Sequence, residues 1–171
     1  MSIDSNLFAE PLVILLVDDD PTDTANMIKA LEDARIHNRL LLLRKGGDLL
    51  DFLHKRPPYQ EVPTPDLILL DLHLTDTHGR DLLEMLRQDQ TFASTNVIVI
   101  ADPTQGDPNS ETFDLDVEVF LTRPVAPDNL LTAIRTASDG WICFVKRLAV
   151  NRGRPVGTQT PPQPLPRAIS A

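Results

Sequence analysis

The 171-residue chain contains a single cysteine, Cys143, and one cysteine cannot form an intramolecular disulfide. The apolar neighbours Ile142 and Phe144 favour a buried or interfacial thiol over a reactive one. The cysteine and the four histidines do not follow the spacing of a metal site built from these residue types. Scarce cysteine is also typical of a protein from a reducing compartment.

Long apolar runs and the basic start of a secretory signal are absent as well. No stretch reaches the roughly 18 uncharged apolar residues that a membrane-spanning helix needs. Residues 1–10 carry acidic and no basic side chains. We therefore expect a soluble, cytoplasmic protein without a membrane partner.

Negative charge is abundant, but it stops at Asp139. All 25 acidic residues and 11 of the 16 basic residues lie up to this position, so this part has a formal charge of −14 and the remainder +5. An acidic body repels nucleic acid, so we predict no DNA partner. The basic remainder is either a contact for a phosphate or an acidic partner, or a solvated extension, which we favour.

Five short aliphatic runs predict β-strands that are buried on both faces. They cover residues 12–17, 40–43, 67–70, 97–101 and 117–122. Apolar residues at helical spacing predict helices over about 21–35, 48–54, 78–88, 109–115 and 127–148. This alternation predicts an α/β fold with a doubly wound, five-stranded parallel sheet between two layers of helices.

The same pattern predicts the domain organisation. Residues 11–150 form one domain of ordinary size, preceded by an extension over residues 1–10. Five prolines and few large apolar side chains among the last 21 residues predict a disordered, proline-rich tail over residues 151–171. We found no internal repeat.

The strand over residues 67–70 leads directly into Asp71. In open parallel sheets the ligand crevice lies beyond the carboxyl ends of the strands, so a carboxylate at this position points towards the mouth of a site. The alternative is that Asp71 only begins a turn. The other strand ends carry Asp18 and Asp19, Ala101 and Asp102, and Arg123.

Carboxylates that converge on one crevice raise one another's pKa unless a positive charge offsets them. Asp18, Asp19 and Asp71 therefore predict a bound divalent cation, and hard oxygen ligands with open positions suit Mg²⁺. With the charge of the cluster neutralised, Asp71 can act as a nucleophile towards phosphorus and form an acyl phosphate.

Taken together, these residues resemble the receiver domain of two-component response regulators. The resemblance covers about residues 11–148 and is carried by Val17-Asp18-Asp19, Leu69-Leu70-Asp71, Gly79 and Phe120-Leu121-Thr122-Arg123-Pro124. Pro58-Tyr59 and a last helix that contains Trp141 are similar, more finely, to the small single-domain receivers that partner phytochrome histidine kinases.

The resemblance implies a flavodoxin-like (βα)5 fold and a role for each site residue. Asp71 would accept a phosphoryl group from a sensor histidine kinase, with a phytochrome as the candidate. Mg²⁺ would be held by Asp19, Asp71 and the backbone carbonyl of His73, with Asp18 helping through water. Phe120 would be the aromatic residue that rotates in the switch. A signalling protein of this kind is not an enzyme.

Two positions depart from the family pattern. Ala101 stands where the family has Ser or Thr, and Arg123 stands where it has Lys. The missing hydroxyl is the one that bonds the phosphoryl group in family members, and a hydrogen bond to a charged group contributes about 1.5–3 kcal/mol. We therefore expect an atypical switch. Arg123 keeps the positive charge for a phosphate contact, in a bulkier planar group.

Several alternatives stay open at this point. The Asp102 carboxylate either repels a phosphoryl group or caps the segment that follows it. The His73 side chain either overhangs the site or faces solvent. The whole domain could be a pseudo-receiver that docks or dimerises without phosphorylation. The run from Asp71 to Thr75 also resembles the start of haloacid-dehalogenase-type phosphatases, but the chain is short for their later motifs.

The last helix carries more apolar residues than one side of a five-stranded sheet needs. The residues concerned are Trp141, Phe144, Val145 and Leu148. An exposed apolar stripe usually binds a partner surface, so we predict a homodimer through the last helix.

Overall fold

A computed structural model describes residues 11–105, 119–137 and 168–169. Its elements, in chain order, are β1 (Leu12–Val17), α1 (Pro21–Asp33), β2 (Asn38–Leu43), a 3₁₀ turn (Gly46–Asp48), α2 (Leu49–Leu53), β3 (Leu67–Asp71), α3 (Gly79–Gln88), β4 (Asn96–Ala101), β5 (Val119–Thr122), α4 (Pro127–Ala137) and β6 (Ala168–Ile169).

The strands form one sheet in the order β2-β1-β3-β4-β5-β6, and every pair is parallel. This order confirms the predicted doubly wound, flavodoxin-like arrangement of the first five strands. The chain runs from β1 outward to β2 and then returns to β3 on the other side of β1. A parallel sheet of this kind has its ligand crevice where the order reverses, beyond the carboxyl ends of β1 and β3.

Helices cover both faces of the sheet, and the strand residues alternate between two apolar clusters. Leu15, Ile68 and Leu70 pack with residues of α2 and α3 on one face. Ile14, Leu16, Leu67 and Leu69 pack with residues of α1 and α4 on the other face. All five residues of β3 are buried. Because both faces of the sheet are covered, the central strands consist of continuous runs of aliphatic residues.

The larger differences from the predicted boundaries are at β2, α1 and the second predicted helix. β2 begins at Asn38 rather than Leu40, because Asn38 and Arg39 pair with β1 although they are polar. α1 ends at Asp33 rather than about Arg35, and Arg35 takes a positive φ of 53°. The predicted helix over 48–54 begins as the 3₁₀ turn.

The two-residue strand β6 was not predicted. It pairs with β5 through Ala168 and Ile169, inside the stretch for which we predicted a disordered tail. Other predictions lie outside the described residues: the extension over 1–10, the helix over 109–115, the last helix beyond Ala137 with its dimer contact, and the rest of the tail.

None of the helices within the described ranges is long and apolar enough to cross a bilayer.

Candidate functional site

The carboxyl ends of four neighbouring strands form the site. The strand register sets Val17 beside Leu70 and Ala101 beside Thr122. Asp18, Asp71 and Arg123 directly follow Val17, Leu70 and Thr122, so they lie side by side with Ala101 at one edge of the sheet. The structure brings together five of the six strand-end residues that the sequence singled out, namely Asp18, Asp19, Asp71, Ala101 and Arg123. The side chain of the sixth, Asp102, bonds to its own loop.

Three of these residues form a compact group of carboxylates. One carboxylate oxygen each from Asp18, Asp19 and Asp71 lies within 4.8 Å of the others. Asp18 is fully buried and Asp71 is 5% exposed, while Asp19 is half-buried. Clustered carboxylate oxygens are the donors that Mg²⁺ prefers, so the residues fit the cation that the sequence predicts.

Arg123 reaches into this group from the end of β5. Its Nη2 donates to Asp18 Oδ2 at 3.1 Å and to Asp71 Oδ2 at 3.2 Å. Its Nη1 lies 3.1 Å from Asp23 Oδ2, and the Arg123 side chain is only 12% exposed. A single guanidinium therefore bridges three carboxylates.

Burial and charge act against each other in this group. Burial raises the pKa of Asp18 above its ordinary value, although the hydrogen bond and the charge of Arg123 oppose this shift. For Arg123, burial alone would lower the pKa, but the carboxylates of Asp71 and Asp18 raise it overall. The guanidinium therefore stays charged inside the site.

Asp23 is a site residue that the sequence analysis missed. It lies in the first turn of α1, where the Asp20 carboxylate caps the helix by accepting from the amides of Thr22 and Asp23. This helix starts directly at the end of β1, so its first turn lies beside the crevice. An acidic residue three positions after the strand-end run Asp18-Asp19-Asp20 was the signal that could have identified it.

Asp19 is fixed by the loop that follows β3. Its Oδ2 accepts hydrogen bonds from the Thr75 amide at 2.7 Å and the Thr75 hydroxyl at 2.5 Å. Burial alone would raise the pKa of Asp19, but these two bonds lower it below its ordinary value. Thr75, which the sequence analysis did not single out, thus keeps this carboxylate ionised and orients it.

His73 contributes through its backbone and lies with its ring partly inside the protein. Its amide donates to Asp71 Oδ1 at 3.0 Å, which fixes the orientation of that carboxylate. Both ring nitrogens are buried, so the interpretation of His73 as a solvent-facing loop residue is wrong. The role of its backbone carbonyl as a metal ligand stays a prediction.

Ala101 and Phe120 lie in the apolar core beside the site. Ala101 is fully buried and Phe120 is 7% exposed, in the same cluster as Val99. The carbonyl of Ala101 accepts from the Arg123 amide at 2.9 Å, which connects the end of β4 to the start of the arginine. The predicted switch roles of Ala101 and Phe120 stay predictions.

Asp102 turns towards its own loop. Its Oδ1 accepts from the Thr104 hydroxyl at 2.6 Å and from the Thr104 amide at 2.8 Å, and its Oδ2 accepts from Gln105 Nε2 at 3.1 Å. These contacts favour the capping interpretation over repulsion of a phosphoryl group. The bonds from Thr104, followed by the bond from Gln105, lower the pKa of Asp102 to about 2.

We expect Asp102→Ala to destabilise the protein near neutral pH and less so in acid. The folded-state pKa of about 2 lies below the ordinary value of 3.8, so the ionised carboxylate stabilises the fold. This contribution is present above pH 3.8 and is lost as the pH falls through about 2. Chemical unfolding of both proteins across this range measures it, and a stability difference that does not vary with pH would contradict it.

Comparisons with known proteins agree with this geometry. The family model of the response regulator receiver domain matches residues 14–135. Response regulator Rcp1 from Synechocystis sp. is 30% identical over 142 residues, which cover 83% of this chain and 95% of that protein.

Solved structures with the same fold include three named regulators. The bacteriophytochrome response regulator AtBRR has a TM-score of 0.66 and 26% identity, over 74% of this chain and 92% of its own. The phosphorylated cyanobacterial phytochrome response regulator RcpA has a TM-score of 0.61 and 26% identity, over 82% of this chain and 91% of its own. The Mn²⁺-bound form of Rcp1 has a TM-score of 0.61 and 29% identity, over 77% of this chain and 95% of its own.

Proposed function

The chain belongs to the response regulator receiver domain family, and from this premise we propose that it is a single-domain response regulator phosphorylated on Asp71 by a histidine kinase. The observation that carries the proposal is the position of Asp71. Its carboxylate lies at the end of the central strand β3, with Asp18 and Asp19 close by. It also lies in contact with Arg123.

In the proposed reaction, an Asp71 carboxylate oxygen attacks the phosphorus of a phosphohistidine on the kinase. A P–O bond forms as the P–N bond breaks, and the leaving imidazole nitrogen takes a proton. The amide of His73 holds one oxygen of Asp71, which orients the carboxylate for this attack. Arg123 contacts the other oxygen and can pair with the charge of the arriving phosphoryl group.

Asp18, Asp19 and Asp71 would hold Mg²⁺, together with the predicted carbonyl of His73. The bound cation would neutralise the carboxylates and the phosphoryl oxygens. The oxygen donor set of the described residues and the Mn²⁺-bound structure of Rcp1 support this proposal.

The proposed switch is atypical because Ala101 offers no hydroxyl to the phosphoryl group. The site then lacks a bond that would otherwise bias the domain towards one conformation on phosphorylation. This observation also supports a second candidate function, a pseudo-receiver that docks or dimerises independently of phosphorylation.

The proposed partner is a sensor histidine kinase, and a phytochrome is the candidate because relatives are named as phytochrome response regulators. We further propose a homodimer through the last helix, which the apolar residues after Ala137 support. The acidic charge of the domain supports the absence of a DNA partner.

We expect Mg²⁺ plus a small phosphodonor to label the wild-type protein and not Asp71→Asn, because the amide cannot form an acyl phosphate. Phosphate incorporation detected by mass spectrometry measures this. Asp81→Asn is the matched control, since it makes the same chemical change on an exposed residue of α3 and should label normally. Equal labelling of Asp71→Asn would refute the proposal.

The labelled protein also separates the two candidate functions. Backbone NMR spectra and kinase affinity that change on labelling support the switch. Spectra and affinity that stay the same support the docking module instead.

A further inference from the structure

Asp23 contacts Arg123 from outside the acidic cluster of Asp18, Asp19 and Asp71. Its Oδ2 lies 3.1 Å from Arg123 Nη1, and its side chain is 35% exposed. Among the described residues, the carboxylates close enough to share a cation are Asp18, Asp19 and Asp71, so Asp23 is not one of the proposed ligands. The contact therefore needs an explanation other than metal binding.

The two ends of the guanidinium serve different carboxylates. The inner nitrogen, Nη2, contacts Asp18 and Asp71, whereas the outer nitrogen, Nη1, contacts Asp23. A planar guanidinium can span both positions, but the single nitrogen of a lysine cannot. The outer contact of Arg123 thus depends on this residue being arginine.

The inner contact competes with the proposed function. Arg123 occupies one oxygen of Asp71, and its positive charge shares Asp18 and Asp71 with any divalent cation. A cation at the cluster repels the guanidinium at short range, so binding costs more if Arg123 cannot withdraw. Asp23 offers a carboxylate to which the guanidinium is already bound and which lies on the outer side.

We propose that Asp23 is a positioning residue that keeps Arg123 on the outer side of the cluster when a divalent cation or a phosphoryl group binds. Arg123 then releases Asp18 and Asp71 to a bound cation, or pairs with the phosphoryl group, and in both cases retains its contact with Asp23. This inference rests on the proposed function and adds a residue that controls access to Asp71.

The test is a titration of the full chain with Mn²⁺ or Mg²⁺ alone, without a phosphodonor. We expect Asp23→Asn to bind the cation about three- to tenfold more weakly, the effect of losing one partly exposed ion pair. Asp23→Glu should restore most of the affinity. Asp33→Asn is the matched control, because it removes the same charge from α1 at a position where the carboxylate pairs with the exposed Lys29. It should bind like the wild type.

A double mutant separates positioning from simple electrostatics. Removing any nearby negative charge weakens a cation site, so Asp23→Asn is repeated in an Arg123→Ala background. If Asp23 acts through Arg123, the Asp23 substitution has little effect in this background. An effect of the same size or larger would overturn the proposal, since Asp23 would then act by its own charge.

The outcomes also distinguish this inference from the proposed function. No saturable binding by the wild-type protein would refute the metal site and, with it, both proposals. Wild-type binding with unchanged affinity in Asp23→Asn would refute only the role of Asp23. Asp23→Ser repeats the test should the asparagine variant fold poorly.

Discussion

Gly79→Ala is expected to destabilise the protein by about 3 kcal/mol, the upper end of the usual cost of overpacking. A Cβ at this position would lie 2.5 Å from the carbonyl oxygen of Asp71 and 2.6 Å from the Cα of Leu72. Both atoms belong to the backbone at the end of β3 and cannot rotate away. The first turn of α3 would have to move off the strand.

This close approach also fixes the position of Asp71, the proposed nucleophile. The Gly79 amide donates to the carbonyl of Leu72 at 3.1 Å, so α3 and the end of β3 are held together at the residue after Asp71. Displacing this backbone moves Asp71 relative to Asp18 and Asp19. We therefore expect Gly79→Ala to reduce phosphate labelling as well as stability.

Gly47→Ala is the control for this prediction. Its Cβ would meet only Asp76 Oδ2, at 3.4 Å, which is an ordinary contact with a side chain on an exposed loop. We expect a change in unfolding free energy below about 1 kcal/mol. Urea unfolding measures both variants, and equal midpoints would show that the contact at Gly79 does not constrain the fold.

The sequence predicted the central part of the fold because that part is buried on both faces. β1 and β3 are continuous aliphatic runs whose ends are marked by Asp18 and Asp71, and the structure has both strands where the runs lie. The predicted β2 was two residues too short at its start. This strand lies at the edge of the sheet, where the partly exposed Asn38 and the exposed Arg39 give no apolar signal. β6 is two residues long, and its pairing with β5 is not encoded locally.

The strand-end residues of the site were predictable for the same reason, whereas the contacts between them were not. Asp19 and Thr75 are 56 residues apart in sequence, and their hydrogen bonds depend on how two loops pack. The bridge from Arg123 to Asp23 likewise joins β5 to α1. Side-chain contacts of this kind depend on the tertiary arrangement, and a local sequence pattern does not predict them.

Arg123 also shows how a departure from the family pattern acquires a physical meaning. From sequence, an arginine in place of lysine indicated only a bulkier cation. In the structure its two nitrogens hold carboxylates on both sides of the guanidinium. The substitution therefore changes how the charge of the cluster is distributed, because one residue both pairs with Asp18 and Asp71 and connects them to Asp23 of α1.

Arg123→Ala is expected to destabilise the cation-free protein by about 3 kcal/mol or more, because it leaves one partner of a buried ion pair behind. Asp18 is fully buried and Asp71 is 5% exposed, so water replaces the guanidinium poorly. The two carboxylates would then repel each other across the site. Chemical unfolding in the presence of a chelator measures this loss.

Saturating Mg²⁺ should restore much of the stability of Arg123→Ala. A cation held by Asp18 and Asp71 would take over the role of the guanidinium and would stabilise the folded state by mass action. Since Arg123 then no longer competes for Asp18 and Asp71, Mg²⁺ should raise the Tm of the variant more than that of the wild type. Arg56→Ala, which breaks an exposed pair with Asp51, should cost less than about 1 kcal/mol and respond to Mg²⁺ like the wild type. Equal Mg²⁺ shifts in Arg123→Ala and the wild type would mean that the arginine and the cation do not share these carboxylates.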